Sequence, residues 1–144
     1  MTTREVQEKL VQNMKRWQKI ENATVAQTAQ AMEQTGNPLL RAVMEIIQRD
    51  ANTHYRIQQM IIDSLEREAV HLSPEEIGRL SETIDRHVAI ERDSIALAEA
   101  SLEAIARSKM VAQKYLITYL LEDERKHEKL LSDLDLIRRG MYPY

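Results

Sequence analysis

Residues Leu116 to Leu134 read LITYLLEDERKHEKLLSDL. Laid on a helix, Ile117, Leu120, Glu124, His127, Leu131 and Leu134 recur at steps of three and four and share one face. Four of the six are aliphatic and are expected to point into a core. Glu124 and His127 form a Glu-x-x-His pair in the middle of that stripe. An unpaired carboxylate and imidazole in a dry interior would cost several kcal/mol or change protonation state. A metal ion removes the penalty, because it binds the carboxylate and the neutral imidazole directly. The stretch therefore predicts a helix. It also poses the question whether other helices bring ligands to the same depth.

The rest of the chain is read from that helix outward. At 144 residues, with Gly and Pro at three each, the composition predicts one all-α domain over 1–144. Phe is absent and Trp occurs once, so the core is expected to be aliphatic with Met as filler. The net charge is −3 and the two signs are interspersed, so there is no basic stripe for nucleic acid. No apolar run approaches the length of a membrane span, and MTTREVQEKL at the start is too polar for a secretory signal. Zero cysteines rules out disulfides, thiolate zinc sites and iron–sulfur clusters carried by this chain. A cytoplasmic location is the expectation.

Four helices are predicted, at about 3–34, 38–68, 74–107 and 109–139, forming an antiparallel four-helix bundle. The first carries Leu10, Met14, Trp17, Glu21, Val25, Thr28 and Met32 on one face. Thr35-Gly36-Asn37-Pro38 ends it and caps the next. The second carries Leu40, Val43, Ile47, Ala51, His54, Ile57, Ile61 and Leu65, with Asp50 at the edge. Ser73-Pro74-Glu75-Glu76 is a capping box that opens the third helix. Its face reads Ile77, Leu80, Ile84, His87, Glu91, Ile95, Ala98, Leu102 and Ile105. Ser108 is expected to cap the fourth helix, and Gly140 to stop it. Consecutive helices joined by short links are antiparallel neighbours. The link near Val70 to Leu72 is too short to cross a bundle. Up-down-up-down topology, or exchange of helix pairs within a homodimer, follows. Leu39, Leu116 and Leu121 are expected on the outside, available to a second subunit.

Glu21, His54, His87, Glu91, Glu124 and His127 are the polar intruders on these faces. Counted from Gly36, Leu72 and Ser108, each lies 15 to 19 residues from its nearest turns, a spread of about one helical turn. Carboxylate plus imidazole is the ligand set for iron, manganese or zinc. A lone histidine on an apolar face is ordinarily a satisfied core histidine, and a metal-free ion-pair layer that fixes helix register is the plainer alternative. Six groups at one level favour the metal site.

With WQKIENA and LLEDERKHEKLL around these positions, the chain resembles the ferritin-like superfamily, and within it rubrerythrin-like di-iron carboxylate proteins. That family's pattern is a Glu on one helix and Glu-x-x-His on the next, repeated in the second half of the bundle. Glu91, Glu124 and His127 match it. Glu21 and His54 match in the first half, but Ala51 stands where the pattern has a carboxylate. The resemblance implies Glu21 and Glu91 as terminal ligands, Glu124 as a bridging ligand, and His54 and His127 each on one metal. It implies two irons per chain and reaction with dioxygen or peroxide. It also implies an external redox protein as electron donor, since no rubredoxin-like cysteines are present. Ala51 leaves open a single iron, manganese or zinc near Glu91, Glu124 and His127. Asp50 stands close enough in sequence to compensate. His87 is either a ligand or a donor that orients a carboxylate. An iron-handling or purely structural module without turnover is the alternative function.

Overall fold

The computed structural model describes residues 1–141, with side chains at all of these except 138, 139 and 141. The chain is all-α, and no strand occurs among the described residues. Four long helices pack in antiparallel pairs: α1 (Thr3–Glu33) on α2 (Pro38–Glu66), and α3 (Pro74–Ile105) on α4 (Val111–Ser132). One turn residue, Asp133, separates α4 from a short α5 (Leu134–Met141), and Gly140 lies inside α5 rather than ending it. The expected tail at 142–144 lies outside the described residues. Two compact units result, Met1–Val70 and His71–Tyr144, each built on one helical hairpin.

The helix starts follow from local chemistry. Thr2 and Ser73 each form a complete capping box, with Glu5 and Glu76 as the returning carboxylates. Asn37 accepts from the backbone N–H groups of Leu39 and Leu40 ahead of Pro38. At the end of α1, Arg41 donates to the carbonyls of Met32 and Thr35, so a guanidinium covers carbonyls that the helix leaves open. Gly36 is not needed in a left-handed conformation, because no described residue has positive φ. Ser108 does not cap α4. It holds the preceding turn by donating to Ile105 O and accepting from Met110 N, and α4 begins at Val111, directly after Met110, with no side-chain cap.

The seams of the hairpins are displaced from the apolar stripes read in the sequence. In α1 the buried residues are Val11, Met14, Gln18, Glu21 and Thr28, whereas Leu10 and Trp17 are exposed. In α2 they are Ala51, Gln58 and Ile62, whereas Ile47 and Ile57 are exposed. In α4 Leu121 is buried and Leu120 exposed, the reverse of the expected order. The steps of three and four along α1 and α2 are the 3.5-residue repeat of two helices in antiparallel contact. A two-helix seam covers a strip only about one residue wide per turn, so the flanking apolar side chains stay outside it. The first seam keeps polar residues because they bond within it. Gln18 Nε2 donates to Tyr55 O and to Gln59 Oε1, and Gln48 Nε2 donates to Val25 O. Its apolar part is the small cluster Val11, Met14 and Ile62, flanked by Ile61 and Leu65.

A candidate metal centre in the second hairpin

Glu91 sits midway along α3 in the seam and is 5% exposed. Glu124 and His127 approach it from α4, where spacing by three residues puts both on the side facing α3. One ligand atom from each of Glu91, Glu124 and His127 can be chosen so that all three lie within 4.8 Å of one another. Among the described residues, this is the one such cluster of His, Asp or Glu. His127 Nδ1 stands 3.5 Å from Glu91 Oε1 and 4.0 Å from Glu124 Oε2. Metal–ligand bonds of ~2.0–2.2 Å put ligand atoms on one ion about 3 to 4 Å apart. Small side-chain rotations therefore suffice to bring the three onto one cation.

Two neighbours complete the group. His87, one turn before Glu91, places Nε2 2.8 Å from Glu91 Oε1. Asp123 places Oδ2 3.4 Å from His127 Nε2, on the side of the ring away from Glu91. A carboxylate behind a histidine fixes its tautomer and ring plane and leaves the other nitrogen as an acceptor. Here that other nitrogen is Nδ1, the one facing Glu91 and Glu124.

The electrostatics show two carboxylates competing for one proton or one cation. With both ionised, Glu91 Oε2 is buried and has no hydrogen-bond partner among the described residues. A proton on Glu124 gives the Glu91 carboxylate a donor. The hydrogen bond from Glu124 holds Glu91 below the usual carboxylate range, helped by His87 and His127 and opposed by burial. Glu124 is pushed up by the same bond, by burial and by the charge of Glu91, with His127 acting the other way. A divalent cation at this point would replace the proton and give the orphaned oxygen a partner. The residues present therefore fit an ion, and the donor set of two carboxylates and one imidazole suits a first-row transition metal. Beside Glu124 a groove of about 280 Å³ opens between α3 and α4, lined by Ser94, Leu97, Ala98, Ile117 and Leu120 among others.

The first hairpin holds the other two expected ligands. Glu21 is buried in the α1–α2 seam, and His54 Nδ1 lies 3.5 Å from Glu21 Oε1. The third group there is Gln58, whose Nε2 donates to Glu21 Oε1 at 3.1 Å. Ala51 is buried, and Asp50 is exposed. The six expected residues thus fall into two groups, Glu21 with His54 in one hairpin and His87, Glu91, Glu124 and His127 in the other.

Two participants were not singled out from the sequence. Asp123 lies four residues before His127, the spacing of neighbours on a helix face, and that spacing was the available signal. Gln58 lies four residues after His54, but an amide in a Gln-rich helix carries no mark that distinguishes it.

Comparison with known proteins adds no assignment: no protein-family model, no curated protein and no solved structure matches the chain.

Proposed function

We propose that the α3–α4 hairpin binds a divalent transition metal through Glu91, Glu124 and His127, with His87 and Asp123 as supporting groups. The observation that carries this is the trio within 4.8 Å, whose buried member Glu91 keeps its Oε2 without a hydrogen-bond partner among the described residues. Each residue has a part. Glu91 is the anchor, fixed in the seam. Glu124 brings the second negative charge and gives up its proton on binding. Asp123, with Oδ2 3.4 Å from His127 Nε2, favours the tautomer that leaves Nδ1 to the ion. His87 holds Glu91 Oε1.

The activity we propose is reaction with dioxygen or peroxide, as the ferritin-like resemblance implies, with electrons from an external redox protein. A redox-active ion such as iron would supply single-electron exchange with a small oxidant. The groove beside Glu124 supports the reading, since it is wide enough for a diatomic molecule or peroxide. The test is anaerobic loading with ferrous iron followed by peroxide. Peroxide consumption that disappears in Glu124→Ala is expected. Full iron loading with no peroxide consumption would leave metal handling as the role.

A metal-free polar layer is favoured by one observation, the 2.8 Å pair between His87 and Glu91, which compensates the buried charge without a cation. That reading requires the melting temperature to be indifferent to chelators.

We also propose a homodimer. Ile90, Leu97, Leu120 and Leu130 are exposed on the second hairpin, Leu97 at 70%. So much apolar surface beside a ligand group is the mark of an interaction face, and a second copy offers a matching apolar surface. No helix among the described residues is long and apolar enough to cross a membrane.

A further inference from the structure

The two hairpins repeat one half-site. In each, a glutamate midway along the first helix is buried in the seam, at 6% exposure for Glu21 and 5% for Glu91. In each, a histidine on the second helix places Nδ1 3.5 Å from Oε1 of that glutamate. Each histidine is preceded four residues earlier by an aspartate, Asp50 or Asp123. Matched on the histidines, Ala51 falls on Glu124, and Gln58 falls on Leu131.

We infer that Gln58 and Ala51 make the first hairpin a metal-excluding copy of the second, so that the chain holds one ion and not two. The two substitutions act together. Ala51 removes a carboxylate, so the first hairpin offers one negative charge where the second offers two. Gln58 then occupies the remaining one, because its Nε2–H donates to Glu21 Oε1 at 3.1 Å. A cation reaching that oxygen from the seam would meet the amide hydrogens, which repel it. The amide orientation is set by the carboxylate, since an oxygen turned toward Glu21 would face another acceptor. Gln58 Oε1 is left buried without a partner among the described residues. It is splayed away from Glu21 on the planar amide, and cannot share an ion with Glu21 unless the amide turns over and gives up its bond. Gln58 is thus a residue that determines where metal binds, acting through Glu21. Leu131, its counterpart, has no group to compete with a cation at Glu91.

This inference rests on the metal-site reading of the second hairpin, and the following experiment separates the two. Bound zinc per chain is measured by elemental analysis after loading and desalting, with helix content checked by circular dichroism. Four proteins are compared: the unmodified chain, Glu21→Gln, Ala51→Glu, and Ala51→Glu with Gln58→Leu. One zinc is expected in the unmodified chain and in Glu21→Gln, and two in the double variant. Ala51→Glu alone is expected to bind its second zinc at least tenfold more weakly than the double variant does. Two zincs in the unmodified chain, or loss of the single zinc in Glu21→Gln, would overturn the inference. A folded double variant that stays at the unmodified value would overturn it as well. Should the unmodified chain bind none, the metal-site reading fails, and a gain of one zinc in the double variant would still bear out the role of Gln58 and Ala51.

Discussion

Asp123 is the residue whose contribution can be isolated most cleanly. It touches His127 Nε2 from behind and is not one of the three convergent ligands. Removing a carboxylate in that position typically costs 10- to 100-fold in metal affinity. Asp123→Asn is therefore expected to keep the fold and weaken zinc binding by about that factor, measured by competition with a chelating dye. Unchanged affinity would show that the ring needs no such support. The site residues differ in how legible they were. Glu91, Glu124 and His127 stand out because each interrupts an aliphatic stripe, and charge in an apolar context demands an explanation. Asp123 and Gln58 do not stand out. Asp123 sits among Glu122, Glu124 and Arg125, where a carboxylate is unremarkable, and its meaning comes from the ring plane of His127, which a sequence does not carry.

At the scale of the helix, the capping residues and the seam can be tested separately. Ser73→Ala removes the side chain that accepts from Glu76 N and is expected to cost about 1 kcal/mol, read from urea unfolding. In the first seam, Gln58→Leu deletes the donor to Glu21 and is expected to destabilise by about 1–3 kcal/mol, because a buried carboxylate loses a partner. Glu21→Leu combined with Gln58→Leu is expected to cost less than Gln58→Leu alone, since both polar partners then leave together. Additive losses would mean that the pair does not act as a unit. The starts of α2 and α3 were legible because capping chemistry is local: Asn37 with Pro38, and Ser73 with Glu76, lie within one turn of sequence, whereas Ser108 carries the same side chain without capping α4. The seam was not legible. The sequence shows where apolar residues line up, and in α2 they line up on Ile47 and Ile57. The helix-to-helix contact instead runs through Ala51, Gln58 and Ile62. An amide is buried when it bonds across the seam, as Gln18 does with Gln59, and a hydropathy pattern cannot register that bond.

For the whole molecule, the all-α class and the antiparallel pairing follow from composition and link length, and the structure has both. What a sequence leaves open is how much apolar surface the pairing covers. Few side chains are fully covered: Val11, Met14, Ala51, Ile62 and Leu121 are the buried apolar residues among those described. The homodimer is expected to appear in sedimentation equilibrium as twice the 16.8 kDa chain mass. Leu97→Glu is expected to shift it toward the single-chain mass. A single-chain mass for the unmodified protein would contradict the proposal. Metal should also stabilise the fold. An ion bound only by the folded state contributes about 2.7 kcal/mol when free metal is a hundredfold above Kd. Chelation is thus expected to lower the melting temperature by several degrees, and an unchanged melting curve would favour the metal-free polar layer.

The most direct test of the central claim is zinc titration of the unmodified chain and of Glu124→Ala, followed by calorimetry. One ion per chain in the first and none in the second is the predicted result. An equal amount of bound zinc in both would contradict the assignment of Glu91, Glu124 and His127 as the metal centre.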